Sequence, residues 1–140
     1  MQYPDINPKL TEIREGVARV CRQFPGSYWR TCDAERAYPE DFVAALMQEG
    51  YLAAMIPEDY GGSGLSLTAA AVILEEIHRQ GCNAAACHAQ MYTMGTLLRH
   101  GSVEQKRAYL PKIADGTLRL QAFGVTEPTS GTDTLALKTT

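Results

Sequence analysis

What most constrains this chain is a succession of helix-period apolar stripes, each fenced by residues that start or stop a helix, from Asn7 to Gly116. Asn7 can accept from an orphan N–H, and Pro8 at the first helical position has no N–H to leave unpaired. Leu10, Ile13, Val17, Val20 and Phe24 then recur at three- and four-residue steps up to Pro25 and Gly26, which predicts a helix with one buried face. Pro39 opens the next helix. Glu40 and Asp41 sit at its positive end, Phe42, Val43, Leu46 and Met47 form its buried side, and Gly50 closes it in the left-handed conformation. Between these helices, residues 27–38 around Trp29 read as a connection or a short helical turn.

From Tyr51 to Ser66 the pattern changes to a structured loop. Gly61, Gly62 and Gly64 lack the Lys-Ser/Thr pair that a phosphate-cradling P-loop needs, so a tight turn is expected there. Ser66 or Thr68 can cap a further helix with Ala70, Ile73, Leu74 and Ile77 inward, ended by Gln80 and Gly81. Asn83 can cap the next, a largely buried helix carrying Met91, Met94, Leu97 and Leu98, whose segment 84–95 is the place to look for pocket walls. Ser102 with Gln105 makes a capping box ahead of Val103, Tyr109, Leu110 and Ile113, and Pro111 predicts a kink or break in that helix.

After Gly116 the period shifts from helical to extended. Leu118, Leu120, Ala122 and Val125 predict a strand, and residues 134–140 a second extended segment. The fold class expected is therefore mainly α, an up-and-down, bundle-like helical domain over 1–119 followed by the first strands of a β domain over 120–140. Two extended segments seldom make a stable sheet alone, so the chain reads as a fragment or a subunit.

Composition removes several classes. With 45% hydrophobic and 21% charged residues the chain is neither disordered nor membrane-inserted, and no apolar run approaches the length of a membrane span. A net charge of −3 gives no broad positive field for nucleic acid. Cys21, Cys32, Cys82 and Cys87 form no CxxC pair, and Cys82, Cys87 and His88 lack a second ligand pair at zinc-site spacing, so no metal is expected. Residues 1–5 hold neither a basic region nor an apolar signal core. Together these readings point to a reducing, cytoplasmic compartment.

The run Phe123-Gly124-Val125-Thr126-Glu127-Pro128-Thr129-Ser130-Gly131-Thr132-Asp133 is either an ordinary turn or a loop that brings backbone N–H groups to an anion such as a phosphate or a flavin edge. It resembles the flavin-binding signature of the acyl-CoA dehydrogenases, in which a G/A-hydrophobic-S/T-E start precedes a small residue, Gly, Ser/Thr and Asp. Upstream, Pro57-Glu58-Asp59-Tyr60-Gly61-Gly62-Ser63-Gly64-Leu65 resembles the "PEEYGGSG" loop of that family, and the segment from Gln105 to Gly116 its "QKERYLPKIASG" helix. The resemblance covers the chain from about Tyr38 to its end, in family order.

That resemblance implies an FAD-dependent enzyme. A carboxylate removes the α-proton of an acyl-CoA thioester while the β-hydrogen leaves as hydride to flavin N5, with an electron-transfer acceptor and a homo- or hetero-oligomer as partners. Carried over by position, Phe123, Gly124, Val125, Thr126, Gly131 and Thr132 contact the flavin, and Thr132 also approaches the acyl-CoA. Glu127 is implied as a structural partner, and Asp133 as the residue fixing the turn. No catalytic residue is carried over, because the family's base comes from later sequence, and residues 1–140 alone are expected to be inactive. Thr129 and Ser130 replace the commoner Gly-Ala, and Phe123 stands where many relatives have Tyr. The rival expectations are a flavin monooxygenase or nitroalkane oxidase of the same fold, and a non-catalytic scaffold subunit that lends its surface to a partner.

Overall fold

The computed structural model describes residues 7–139. Residues 1–5, in which no signal core is expected, and Thr140, the last residue of the second extended segment, lie outside them. Among the described residues six helices carry the fold: α1 (Pro8–Cys21), α2 (Gly26–Glu35), α3 (Glu40–Gln48), α4 (Leu67–Arg79), α5 (Ala85–His100) and α6 (Val103–Ala114). Short 3-10 turns stand at Tyr51–Ala53, Glu58–Tyr60 and Thr134–Ala136.

The starts of α1, α4 and α6 follow the local chemistry of the sequence. Asn7 Oδ1 accepts from the Lys9 N–H at 3.0 Å and Ser66 Oγ from the Ala69 N–H at 3.2 Å. Ser102 and Gln105 form the reciprocal capping box, at 3.2 and 2.8 Å. Gly50 ends the α3 region at φ 77°. The glycine-rich loop folds back as a turn, with the Gly64 N–H donating to the Ile56 carbonyl at 2.8 Å and the Leu65 N–H to that of Ala54 at 2.7 Å. A Cβ at Gly62 would stand 2.1 Å from the Ile56 carbonyl oxygen, so the backbone needs glycine there for close approach and not for a ligand.

The stripes meet in one core. Val17, Phe42, Leu46, Leu52, Ile56, Ile73, Ile77, Met94, Leu110 and Ile113 are all shielded from solvent. Of α5, Cys87, Ala89, Gln90, Met91 and Met94 are buried while Leu97 and Leu98 are half-buried, so the helix is covered on one side only. α1 and α4 are also joined by charge. Glu76, fully buried, takes the Arg79 Nε at 2.8 Å and the Gln80 amide at 2.6 Å, with Arg14 at 3.6 Å. Burial alone would raise its pKa, but those hydrogen bonds and cations outweigh it and hold the carboxyl below its ordinary value.

Three expectations need correction. Residues 26–35 form a full helix rather than a connection. None of them is fully buried and Pro25 offers no side-chain cap, so no stripe or cap announces α2; an aromatic cluster carries it instead. The Trp29 and Phe42 rings lie 4.9 Å apart, Phe24 and Tyr28 5.0 Å, all edge to face. Second, of the kink or break expected at Pro111 the break is absent, since α6 is one helix through that residue. That residue is exposed and lies in the last turn, so the one hydrogen bond it deletes leaves the Arg107 carbonyl on an exposed stretch of helix where water can serve it.

Third, among the described residues neither 118–126 nor 134–139 forms a strand ladder. The pairing present is a single antiparallel bridge between Glu127 and Ser130, and Thr134–Ala136 is a 3-10 turn. A strand exists by its neighbour, and here no segment lies alongside to accept the hydrogen bonds. The mainly helical class holds.

Candidate functional site

The segment after α6 does not leave the helical body at once. The Leu118 N–H donates to the Lys112 carbonyl at 2.9 Å, and Arg119 pairs with Glu40 at 2.6 Å. The Thr93 hydroxyl of α5 donates to the Leu120 carbonyl. Gln121 then joins a polar relay. Its amide N–H donates to Gln90 Oε1 at 3.0 Å, its own Oε1 accepts from the Tyr38 hydroxyl, and the fully buried Gln90 donates to the Leu52 carbonyl at 3.2 Å. Burial raises the Tyr38 phenol above its ordinary value, the Gln121 bond and the Arg119 charge opposing it, so it stays a donor.

Beside this relay opens a cavity of about 450 Å³, lined by Tyr38 and Pro39, by Asn83, Ala85, Ala86, His88, Ala89 and Tyr92, and by Gln121. It runs along the segment 84–95 singled out for pocket walls. The alanines leave the space, and His88 and Tyr92, four residues apart, share one face of α5. Their rings meet at 5.4 Å, and Phe123 packs edge to face on the other contact of Tyr92 at 4.9 Å. Phe123 therefore joins the loop to the cavity.

Of the other residues expected to contact a cofactor, Gly124, Thr126, Gly131 and Thr132 are exposed and Val125 is half-buried. Among the described residues the backbone N–H groups of Val125, Thr126, Gly131 and Thr132 donate to no protein acceptor. A Cβ built at Gly124 or at Gly131 meets nothing within 4 Å, so the backbone is open on that side. Free donors on an approachable backbone are what the polar edge and phosphates of a flavin require, and the residues present fit that group.

The rest of the loop holds its own shape. Glu127 accepts from the Lys138 N–H at 3.0 Å and the Thr139 N–H at 2.8 Å. The Thr139 hydroxyl, then these N–H groups, keep its carboxyl below the ordinary value. Ser130, the one buried residue of the loop, donates through its hydroxyl to the Asp133 carbonyl. Asp133 thus closes the turn with its backbone carbonyl, which also takes the Ala136 N–H at 3.1 Å.

Elsewhere little is poised for chemistry. The cysteines are free thiols, and burial pushes those of Cys21 and Cys87 up to about 12, which removes them as nucleophiles. Among the described residues no group of three or more His, Cys, Asp and Glu is placed to hold a metal ion, and no helix is long and apolar enough to cross a membrane. Tyr38, Gln90 and Gln121 escape sequence reasoning, since their meeting depends on separations such as the 83 residues between Tyr38 and Gln121. For His88 and Tyr92 the four-residue spacing was the available signal.

Residues 7–117 match the model of the acyl-CoA dehydrogenase N-terminal domain. A glutaryl-CoA dehydrogenase of Desulfococcus multivorans is 36% identical over 135 residues, covering 92% of this chain and 33% of the relative. The chain thus spans about a third of the length of that relative. Among solved structures, an electron transferring flavoprotein structure from Acidaminococcus fermentans superposes with a TM-score of 0.81 at 25% identity, over 99% of this chain and 37% of the other. A glutaryl-coenzyme A dehydrogenase in complex with glutaryl-CoA gives 0.80 at 27% identity, over 98% and 35%.

Proposed function

The chain belongs to the acyl-CoA dehydrogenase family through its N-terminal domain, and from that premise we propose that it supplies one wall of an FAD- and acyl-CoA-binding site. In this reading residues 1–119 are the helical domain and 120–140 the entry into a β domain. The observation that carries it is the Phe123–Tyr92 contact, which sets the open backbone of 124–132 beside a cavity of ligand size.

Phe123, Gly124, Val125, Thr126, Gly131 and Thr132 hold the cofactor. The N–H groups of Val125 and Thr126 serve the ring edge, those of Gly131 and Thr132 the phosphate side, and the Thr132 hydroxyl the neighbouring acyl-CoA. FAD, when bound, accepts the β-hydrogen of the acyl group as hydride. What this chain contributes is orientation: the Gln90–Gln121–Tyr38 relay fixes residue 121 on α5 and Phe123 on Tyr92, so loop and cavity keep one spacing. Glu127 is not offered as a base, because its carboxylate is engaged by Lys138 and Thr139.

An electron-transfer acceptor and an oligomeric assembly complete the proposal. The exposure of Phe123 (64%) and Leu135 (97%) supports a covering partner. The free cysteines support a reducing, cytoplasmic setting. The 140-residue chain, given FAD, acyl-CoA and an artificial electron acceptor, is expected to bind flavin and show no turnover. Turnover would overturn the absence of a base, and failure to bind FAD the site itself.

A further inference from the structure

The cavity beside α5 has a lining that divides cleanly. Tyr38 and Gln121 spend their polar atoms on each other and on Gln90, and Asn83 Oδ1 accepts from the Ala85 N–H at 2.8 Å. His88 and Tyr92 differ. Among the described residues they make ring contacts only, leaving imidazole nitrogens and a phenol hydroxyl with no protein partner at the wall of a cavity. Among the described residues no Leu, Ile, Val, Met or Phe lines the space, and neither does any Lys, Arg, Asp or Glu.

Each absence among those lining residues bears on the occupant. A plain alkyl tail would strip water from His88 and Tyr92 and give no hydrogen bond back, a cost that falls on binding. A carboxylate or ammonium end would enter a space with no fixed counter-charge. An uncharged hydroxyl can both donate and accept, which matches an imidazole and a phenol side by side. The Tyr92 ring is held on two sides, by His88 at 83° and by Phe123 at 89°, so the recognising end and the loop keep a fixed separation. At about 450 Å³ the cavity lies toward the small end of ligand sites, roughly 300 to 1,000 Å³.

We propose that this cavity selects short acyl groups ending in a hydroxyl, and that His88 and Tyr92 are the specificity-determining residues. The inference rests on the acyl-CoA reading above. It is tested by calorimetric titration of the FAD-saturated chain with 6-hydroxyhexanoyl-CoA and with hexanoyl-CoA. The hydroxylated ligand should bind about fivefold tighter, the worth of one net hydrogen bond. Both His88→Leu and Tyr92→Phe should reduce that preference below about twofold, and His88→Gln should restore most of it. His88 is exposed and Tyr92→Phe keeps the ring that packs on Phe123, so the fold should stay intact, as far-ultraviolet circular dichroism will register. Equal affinities in the unaltered chain, or tighter binding of hexanoyl-CoA, overturn the selectivity while leaving acyl-CoA binding in place. Binding of neither ligand overturns both.

Discussion

The helical body and the segment after Arg119 are held by different means. In the body, side chains from all parts of residues 8–118 converge on one apolar core, and Val17, Leu46, Ile73 and Ile77 have no measurable exposure. Among the described residues beyond Arg119 a single one, Ser130, is buried, and the chain is fixed by a few polar contacts and one pair of rings. Packing gives the body a unique shape whatever surrounds it. The segment has only as much shape as its hydrogen bonds to α5 and to itself provide, and its free N–H groups stay available to a ligand. On the function proposed above, the body serves as scaffold and the segment as site.

The largest effect should come from cutting the core. Ile73→Ala is expected to cost about 3 kcal/mol, while Leu135→Ala changes stability by less than about 0.5 kcal/mol, both read from urea unfolding. Equal costs would erase the distinction between the regions. Next comes the buried carboxylate. Glu76 has its pKa lowered by folding, so its contribution is fully present above the ordinary carboxyl value of 4.5 and is lost as the pH falls below that value and through the folded one. The melting temperature should therefore fall as the pH drops below about 4.5, and Glu76→Gln should be about 2 kcal/mol less stable at pH 7 with a flatter acid limb.

Smaller still is the tether. Gln121→Ala removes two hydrogen bonds that hold the segment to α5 and Tyr38, at about 1 kcal/mol. Global melting should barely move, whereas tryptic cleavage after Arg119 should quicken severalfold. A fall in melting temperature matching that of Ile73→Ala would instead make the segment part of the core.

Much of the body was legible because its signals are local. Asn7, Ser66 and Ser102 with Gln105 cap where their side-chain chemistry says they should, and the apolar stripes of α1, α3 and α4 name their own buried faces. α2 was not legible: its support is edge-to-face packing of Tyr28 and Trp29 on residues outside the helix, which leaves no period in its own sequence. The alternation of Leu118, Leu120 and Ala122 is real, but alternation states a tendency and a ladder needs a partner. As for the site, the loop 123–133 could be picked out by residue type. The cavity could not, since it is assembled from Tyr38, α5 and Gln121 across the whole chain.

The open backbone after Phe123 is proposed above as a flavin-binding wall continuous with the α5 cavity. It is tested most directly by titrating FAD into the isotopically labelled chain and following its amide resonances. The account predicts that the amides of Val125, Thr126, Gly131 and Thr132 shift together, with Tyr92 responding through Phe123 and α1 unaffected. Saturating FAD that leaves those four amides unmoved, or that shifts residues elsewhere instead, would contradict it.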